Sequence, residues 1–203
     1  MSPTPPRPRL ILASTSRYRR ELLERLRLPF DVHAPDVDET PLAGELPAAL
    51  AERLALAKAR AVAARHPQAI TLGSDQVADL DGQPIGKPGG HAAAVAQLGQ
   101  MSGRTVIFHT ALAVLRPEAG FERVLRVPVT VRFRPLDNAE IETYLRAEQP
   151  YDCAGSARSE GLGIVLLDAI ESGDPTALIG LPLIATARLL REAGLDPLGA
   201  ADR

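Results

Sequence analysis

Two side chains of opposite charge, Asp75 and Lys87, occur in the stretch GSDQVADLDGQPIGKPGG, residues 73–90. Asp75 follows an apolar run and precedes a further apolar residue, and an unpaired charge is costly in such a place. Lys87 stands between a glycine and a proline, and the proline restricts its backbone to extended conformations. The Asp81-Gly82 pair is typical of a hairpin turn, and such a turn brings the segment that contains Asp75 next to the segment that contains Lys87. The pattern predicts either a structural ion pair across a hairpin or a carboxylate and a lysine that act on one ligand.

Lysine is scarce in this chain: among 23 basic residues, Lys58 and Lys87 are the two lysines and the rest are arginines. Lysine carries a compact point charge on a flexible side chain, and it can bind phosphate without the planar guanidinium fork of arginine. Helical periodicity places Lys58 at the border of the apolar stripe of its predicted helix. The two lysines are therefore candidate phosphate ligands, and chance is the alternative.

The stretch LASTSRYRRELL, residues 12–23, runs from a predicted strand into a predicted helix. Ser14 and Ser16 offer hydroxyl groups beside the free N–H groups and the positive end of the helix dipole, which together suit phosphate. Arg17, Arg19 and Arg20 stand at the same end, where cations oppose the dipole and a bound anion would compensate. A capped helix with solvated arginines is the alternative.

A loop with the sequence DVDE, residues 36–39, can hold magnesium through its carboxylates, or it can simply be solubilising. Taken together with the lysines, Asp75 and the arginine-rich helix start, it predicts a site for a magnesium-bound polyphosphate. The four histidines lack metal-ligand spacing, and neither a Gly-x-Ser-x-Gly elbow nor a Walker phosphate loop occurs. Phosphoryl chemistry here is therefore expected to be hydrolysis by an activated water.

The elements that must position these residues alternate between strands and helices, which favours an α/β fold with a mixed sheet. Strands are predicted over 9–14, 30–34, 69–78, 83–87, 105–115, 121–133 with a break at Pro128, and 164–167. Helices are predicted over 17–28 with Ser16 as cap, 47–65, 92–101, 137–148 with a capping box, and 182–193.

Composition excludes several classes of protein. The 203 residues are 45% apolar with a net charge of -2, which argues against both a nucleic-acid footprint and disorder. No segment approaches the roughly 20 apolar residues of a membrane span. The single Cys153 excludes an intramolecular disulfide, fits a reducing cytoplasm and is expected to be a small buried hydrophobe. The proline-rich residues 1–8 are expected to be a flexible tail.

Motifs in a fixed order carry a family resemblance: LASTSRYRRELL, VDE, RLALAKA, GSDQ, GKP, CAGSARSEGLG (153–163) and GDPTALIGLPL (173–183). The order resembles that of the Maf-like nucleoside triphosphate pyrophosphatases and covers nearly the whole chain. The resemblance implies a mixed central β-sheet flanked by helices, two-lobed with a cleft (Maf/ITPase-like), as a single domain over 9–203. It further implies a homodimer, while the composition favours a cytoplasmic protein with neither nucleic acid nor membrane as a partner.

The resemblance also implies the reaction, hydrolysis of a nucleoside triphosphate to the monophosphate and diphosphate with Mg²⁺ or Mn²⁺. Asp75 would accept the proton of the attacking water, and Glu39 with Asp75 would bind or orient the metal. The triphosphate would be held by five residues: Lys58, Lys87, Arg19, Ser14 and Ser16. Glu39, Lys58 and Lys87 thereby join Asp75 as the expected catalytic group.

Substrate choice in the family divides at three positions, which here are Tyr18, Gln76 and Glu160. An aromatic residue, Gln and Glu at these positions resemble the branch that prefers 7-methyl-GTP, whereas Arg, Thr and Gln mark the dTTP/UTP branch. A methylated guanine is positively charged and is attracted by an aromatic face. Glu160 can accept from the donors on the pairing edge of guanine. The chain departs from the family at Arg17, usually proline, and at Tyr18, often tryptophan.

Two alternatives remain open at this point. The first is a pyrophosphatase for dTTP, UTP or other non-standard nucleotides. The second is a nucleotide-binding regulator of cell division that uses the same pocket without turnover, although such a sensor would not require a water-activating acid.

Overall fold

The structure, a computed structural model, describes residues 7–199. The predicted tail, residues 1–8, lies mainly outside these residues, so it stays a prediction, as does the single domain over 9–203. Seven strands and five helices occur in the described part. The strands are β1 (Leu10–Ala13), β2 (Asp31–His33), β3 (Ile70–Leu80), β4 (Gln83–Ile85), β5 (Thr105–Arg116), β6 (Phe121–Phe133) and β7 (Leu167–Glu171). The helices are α1 (Arg17–Glu24), α2 (Pro47–Ala63), α3 (His91–Met101), α4 (Asn138–Glu148) and α5 (Leu183–Glu192).

All seven strands form one mixed sheet in the order β2-β1-β3-β5-β6-β7, with β4 paired to β3. The two contacts of β1 are parallel, and all the others are antiparallel. The predicted mixed α/β fold is confirmed. Parallel pairing at β1 arises because α1 and α2 carry the chain back between strands, whereas short turns join the antiparallel pairs β3–β4 and β5–β6.

The long strand β3 is bordered on one side by two different strands. β1 pairs with its first residues as far as Gly73, and β4 pairs with its last residues from Ala78 onward. Between them the segment 74–77 has no strand neighbour on that side among residues 7–199, while β5 runs along its other side. The sheet therefore carries a gap at Asp75 and Gln76, and the cleft opens there.

Among residues 7–199, three larger apolar clusters and a small one around Ile11 build the two lobes on either side of this gap. One joins α1 and α5 to β1 and the start of β3, around Leu12 and Leu189. Another joins α3 and α4 to the far ends of β5 and β6, around Leu98 and Phe133. The third packs α2 against β3 and β5, around Ala55. The predicted two-lobed arrangement with a cleft is confirmed.

Close packing of α2 on β3 depends on Gly73. A Cβ atom at this position would lie 2.3 Å from the carbonyl oxygen of Ala55 and 2.6 Å from the amide nitrogen of Ala59. The missing side chain lets the helix approach the strand, and this brings Lys58 to Asp75. Lys58 lies within the buried face of α2, whereas the periodicity places it only at the border.

Helix α1 ends four residues earlier than predicted, at Glu24. After it the backbone tightens into turns, with the amide of Leu26 donating to the carbonyl of Leu23, and Arg27 has a positive φ of 54°. The turn returns Leu28 to the core, where it is buried. Ser16 caps the helix as predicted, since its side chain accepts from the amide of Arg19.

Two strand predictions were wrong. β6 is continuous through Pro128, because β7 pairs with β6 only from Thr130 onward and a proline without an N–H is tolerated on an edge strand. β7 begins at Leu167, where the predicted strand ends; the preceding residues form a short 3-10 helix (Leu162–Leu166). Short apolar runs do not distinguish these two conformations.

Candidate active site

A cleft of about 390 Å³ lies at the gap in the sheet. Nine of the ten residues predicted from the sequence line it: Ser14, Ser16, Tyr18, Arg19, Glu39, Lys58, Gln76, Lys87 and Glu160. The tenth, Asp75, lies behind Lys58 and is 7% exposed. The tertiary structure therefore gathers residues that the sequence separates by nearly 150 positions.

Lys58 connects the two acids at the floor of the cleft. Its Nζ atom lies 2.6 Å from Oδ1 of Asp75 and 2.8 Å from Oε1 of Glu39. Asp75 and Lys58 are both buried, so the pair is shielded from water, while Glu39 reaches in from an exposed loop. A single ammonium thus occupies the position between two carboxylates, which is also the kind of position that a divalent cation takes.

Charge on Glu39 is maintained by its surroundings. Partial burial raises the pKa of its carboxyl, but the hydrogen bond and charge of Lys58, with the charges of Lys87 and Arg19, outweigh this and leave the pKa below its usual value. The neighbouring Asp38 instead fixes the turn, because its carboxylate accepts from the amide of Thr40 at 2.9 Å. Of the acids in DVDE, Glu39 is the one that lines the cleft.

The start of α1 supplies the anion-binding part of the site. Ser14 is buried, with its hydroxyl oxygen accepting from the amide of Ser16 at 3.1 Å. Arg19 is anchored through its Nε, which donates to the carbonyl of Gly180 at 3.0 Å. Burial holds the pKa of Arg19 below its ordinary value, although the charges of Asp75 and Glu39 act to raise it. Hydroxyl groups, a helix N-terminus and a guanidinium thus meet on one wall of the cleft.

Lys87 follows β4 and lines the same cleft. The hairpin ion pair that the sequence left open is wrong: among residues 7–199 no ion pair joins Lys87 to Asp75, and the partner of Asp75 is Lys58 from α2. The hairpin itself is present, with Asp79 accepting from the amide of Gly82 at 2.7 Å. The turn therefore brings Lys87 to the cleft.

Gln76 is held with its amide nitrogen turned toward the protein. Nε2 lies 2.9 Å from Oγ1 of Thr110 and 3.0 and 2.9 Å from the carbonyl oxygens of Ala177 and Leu178. Thr110 donates its own hydroxyl hydrogen to Ala177, so toward Gln76 it acts as an acceptor. All three neighbours of Nε2 are acceptors, which leaves the side-chain carbonyl oxygen of Gln76 as the atom available to a ligand in the cleft.

Tyr18 already has two cations against its ring. The guanidinium carbons of Arg17 and Arg158 lie 4.7 and 5.2 Å from the ring centroid. Its hydroxyl accepts from Arg17 at 2.6 Å and donates to Asp152 at 3.3 Å. Burial raises the pKa of this phenol to about 12. A cationic base that stacks here must therefore take the place of one guanidinium.

Cys153 lies beside Tyr18 in the lining of the cleft and is only half-buried, whereas the sequence predicts a small buried hydrophobe. Its Sγ atom lies 3.7 Å from the Tyr18 hydroxyl. Burial raises the pKa of the thiol to about 12. The thiol is therefore protonated at neutral pH and unsuited to act as a nucleophile.

The segment 174–183 supports the site in a way that the sequence motifs did not reveal. The carbonyl oxygen of Gly180 accepts from Arg19 and from Ser74, and the carbonyls of Ala177 and Leu178 accept from Gln76. Asp174 holds this segment in place. It is 3% exposed, and its carboxylate accepts from the amides of Thr176, Ile184 and Ala185. An Asp-Pro-Thr sequence before a helix was the available signal for such capping.

Arg158 is a second residue of the site that sequence reasoning missed. It lines the cleft, contacts the ring of Tyr18 and donates through Nε to Glu160 at 3.2 Å. The motif CAGSARSEGLG contains it, but an arginine in an arginine-rich chain carries no distinguishing signal.

The arrangement suits a bound anion more than a resident metal. Within residues 7–199 no cluster of three or more His, Cys, Asp or Glu forms a metal cage. Asp75 and Glu39 can hold a divalent cation only if other ligands complete its coordination. Phosphate oxygens are the usual complement for Mg²⁺ bound by one or two carboxylates, so the donor set fits a cation that arrives with a phosphorylated ligand. No helix in this part of the chain has both the length and the apolar character to cross a membrane.

Comparison with known proteins gives a consistent set of relatives. The sequence profile of the family described as Maf-like protein matches residues 9–193. A 7-methyl-GTP pyrophosphatase of Albidiferax ferrireducens is 65% identical over 192 residues, covering 95% of this chain and 96% of the relative. Proteins of the same name from Polaromonas sp. and Cupriavidus metallidurans are 64% and 60% identical, covering 95% and 96% of this chain and 88% and 98% of their own. A HAM1 protein structure from Coxiella burnetii aligns with a TM-score of 0.44 and 16% identity over 62% of this chain and 73% of that chain.

Proposed function

The chain belongs to the Maf-like protein family, and on that premise we propose that it hydrolyses 7-methyl-GTP to 7-methyl-GMP and diphosphate. Relatives with the name 7-methyl-GTP pyrophosphatase are 60%, 64% and 65% identical to it. Cleavage falls on the anhydride bond between the α- and β-phosphates, so the enzyme is a nucleotide diphosphatase. Its role is the removal of modified nucleotides from the cellular pool.

The observation that carries the proposal is the ammonium of Lys58 held between Asp75 at 2.6 Å and Glu39 at 2.8 Å. A triphosphate offers Lys58 stronger anionic partners, with Lys87, Arg19 and the Ser14 and Ser16 hydroxyls holding the rest of its charge. As Lys58 turns toward the phosphates, Asp75 becomes available to accept a proton from the water that attacks the α-phosphorus. The same cations stabilise the charge that develops on the diphosphate leaving group.

Glu39 and Asp75 are the residues that would hold a divalent cation, Mg²⁺ or Mn²⁺. When bound, such a cation supplies charge neutralisation at the phosphates and lowers the pKa of a coordinated water. Removal of divalent cations with EDTA is therefore expected to abolish diphosphate release, and Mg²⁺ or Mn²⁺ is expected to restore it.

Base selection follows from the acceptors in the other half of the cleft. Gln76 offers its carbonyl oxygen and Glu160 its carboxylate, and guanine carries two donor groups on its pairing edge, whereas thymine and uracil carry one. A carboxylate near the ring also favours the positive charge of a 7-methylated base. Two acceptors and a negative charge therefore support 7-methyl-GTP over dTTP or UTP.

We further propose that the enzyme is a cytoplasmic homodimer, with neither nucleic acid nor membrane as a partner. The single cysteine, a half-buried thiol, fits a reducing compartment. Light scattering of the purified protein tests the dimer.

The test of the proposal is diphosphate release from a panel of 7-methyl-GTP, GTP, dTTP and UTP by wild type and by Asp75→Asn. Wild type is expected to prefer 7-methyl-GTP, and Asp75→Asn is expected to lower kcat about 10²- to 10⁴-fold while retaining the fold. Asp79→Asn is the matched control, because Asp79 lies on the same strand and contacts His109 and Gly82, outside the cleft.

Three outcomes count against the proposal. Near-normal turnover by Asp75→Asn removes the assigned proton acceptor. A preference for dTTP or UTP moves the enzyme to the other substrate branch. Tight nucleotide binding without any product over hours indicates a sensor.

A further inference from the structure

Arg158 joins two of the residues that face the base. Its guanidinium carbon lies 5.2 Å from the ring centroid of Tyr18, and its Nε donates to Oε1 of Glu160 at 3.2 Å. Its backbone amide donates to the hydroxyl of Tyr144 at 3.1 Å. One side chain therefore contacts both the aromatic surface and the carboxylate that are expected to recognise the nucleobase.

Glu148 fixes Arg158 from outside the cleft. Its Oε1 accepts from Nη1 of Arg158 at 2.6 Å, and its Oε2 accepts from the amide of Leu162 at 3.0 Å. The Glu148 side chain is 14% exposed and does not line the cleft. As the last residue of α4 it opposes the helix dipole, and the guanidinium of Arg158 compensates for this.

Two glycines allow this arrangement. A Cβ atom at Gly161 would lie 2.8 Å from the carboxylate of Glu148, and one at Gly163 would lie 2.5 Å from the backbone oxygen of Arg158. The chain therefore folds tightly around both ends of the ion pair. Glu160 lies in this tightly folded loop, between Arg158 and Gly161.

From this geometry we infer that Glu148 and Arg158 are positioning residues for base recognition. Glu148 holds Arg158, and Arg158 orients the carboxylate of Glu160 and supports the ring of Tyr18. The inference rests on the proposed function, since it concerns how the same cleft selects a guanine nucleotide. It assigns a specificity role to Glu148, a residue that does not touch the substrate.

Selectivity for the base is therefore expected to depend on the ion pair between Arg158 and Glu148. The residues that are expected to bind the phosphates are independent of this pair. Lys58, Lys87 and Arg19 have no contact with Arg158 or Glu148 among the hydrogen bonds and ion pairs of residues 7–199. Loss of the anchor is thus expected to weaken binding of the base and to leave the chemical step intact.

The experiment uses the full chain and compares wild type with Glu148→Gln, Arg158→Gln and Arg158→Lys. Glu148→Gln keeps the shape of the side chain and removes its charge; Arg158→Lys keeps the charge and removes the planar fork. Arg146→Gln is the control, because Arg146 lies on the same helix and pairs only with the half-buried Glu142 among the described residues. KM and kcat are measured for 7-methyl-GTP and UTP, and binding of 7-methyl-GMP and UMP is titrated separately.

Glu148→Gln and Arg158→Gln are expected to raise KM for 7-methyl-GTP and Kd for 7-methyl-GMP about tenfold, since a charge-assisted hydrogen bond is lost. Their kcat is expected to stay within about twofold, the uridine nucleotides are expected to lose less affinity than the guanine nucleotides, and Arg158→Lys is expected to be intermediate. Equal losses for both bases, or no loss in Glu148→Gln, overturn the inference. If wild type releases no diphosphate from any nucleotide, the proposed function fails, and the two monophosphate affinities still decide this inference.

Discussion

At the scale of single residues, the pairing of Lys58 with Asp75 serves both stability and the proposed chemistry. The two side chains are 6% and 10% exposed, and an ionised group left alone in such a place is costly. Removing Lys58 leaves Asp75 buried without its partner and therefore changes folding and activity at once, whereas Asp75→Asn leaves Lys58 paired with Glu39.

The prediction for this pair concerns Lys58→Met and the double variant Lys58→Met/Asp75→Asn. Lys58→Met leaves Asp75 buried without its partner and is expected to lower the free energy of unfolding by about 3–5 kcal/mol. The double variant removes both charges and is expected to regain most of that loss, but both proteins are expected to be inactive. Denaturant unfolding and diphosphate release measure the two effects. A double variant as unstable as Lys58→Met shows that the unpaired charge is not the cause.

Arg17 competes with a cationic base for the ring of Tyr18, from which its guanidinium carbon lies 4.7 Å. Arg17→Ala is expected to lower KM for 7-methyl-GTP about two- to fivefold, because an exposed cation–π contact of about 0.5–1 kcal/mol no longer has to be displaced. Arg20→Ala is the control, since Arg20 pairs with Glu24 on the same helix. A rise in KM instead assigns Arg17 to the phosphates.

At the scale of elements, the contact of α2 with β3 at Gly73 sets the position of Lys58. Gly73→Ala places a methyl group against the backbone of α2 and is expected to lower the free energy of unfolding by about 1–3 kcal/mol. Activity is expected to fall further than this stability loss explains, since Lys58 moves away from Asp75. Denaturant unfolding and kcat measure the two effects.

Gly99→Ala is the matched control for this prediction. Gly99 lies inside α3, and a Cβ atom added there would have open space within 4 Å, so the change is expected to stabilise the helix by about 0.5–1 kcal/mol. Equal effects of the two substitutions would show that the contact with α2 does not control the site.

The loop before α2 is fixed by Glu45, and this gives a pH prediction. Hydrogen bonds from Arg53 and from the amide of Leu42 lower the pKa of Glu45 from 4.5 to about 2. The folded pKa is depressed, so the stabilisation is fully present above pH 4.5 and is lost as the pH falls toward 2. Glu45→Gln is expected to lose less stability than wild type between pH 6 and pH 3 in denaturant unfolding. An equal loss in both proteins contradicts the assignment.

At the scale of the whole molecule, the cleft joins two lobes with separate apolar cores. Ser14 and Arg19 belong to the lobe of β1 and α1, whereas Glu160 and Arg158 follow α4 in the other. Tyr18 crosses between them, since its hydroxyl donates to Asp152 at 3.3 Å. A nucleotide that fills the cleft therefore contacts both lobes.

Ligand binding is thus expected to stabilise the entire fold. At 100 times its dissociation constant, 7-methyl-GMP contributes about 2.7 kcal/mol and is expected to raise Tm by about 5–10 °C in a chain of this size. UMP at the same concentration is the control and is expected to raise Tm less. Equal shifts with both nucleotides contradict selection by the base, and no shift with either contradicts binding in the cleft.

Local patterns predicted most of the secondary structure. The capping box of α4 is present, with the amide of Glu140 donating to Asp137 at 2.8 Å and the amide of Asp137 donating to Glu140 at 2.9 Å. Ser16 caps α1, and the Asp81-Gly82 turn joins β3 to β4. Predictions failed where tertiary packing overrides local preference: α1 stops at Glu24 because Leu28 must return to the core, and Pro128 is tolerated because β6 has a free edge there.

The sequence by itself determined the family and the mixed α/β class, because short motifs in a fixed order are specific, and it predicted ten site residues whose roles stay predictions. Only the tertiary structure decided how those residues meet: Asp75 pairs with Lys58 from α2 instead of Lys87 across the hairpin, since Gly73 lets the helix approach the strand. The support of Gln76 by the carbonyls of the 174–183 segment, and of Glu160 by Arg158 and Glu148, likewise required coordinates. Such contacts are made by backbone atoms and by ordinary charged residues, and residue type and spacing do not distinguish these from solvated ones.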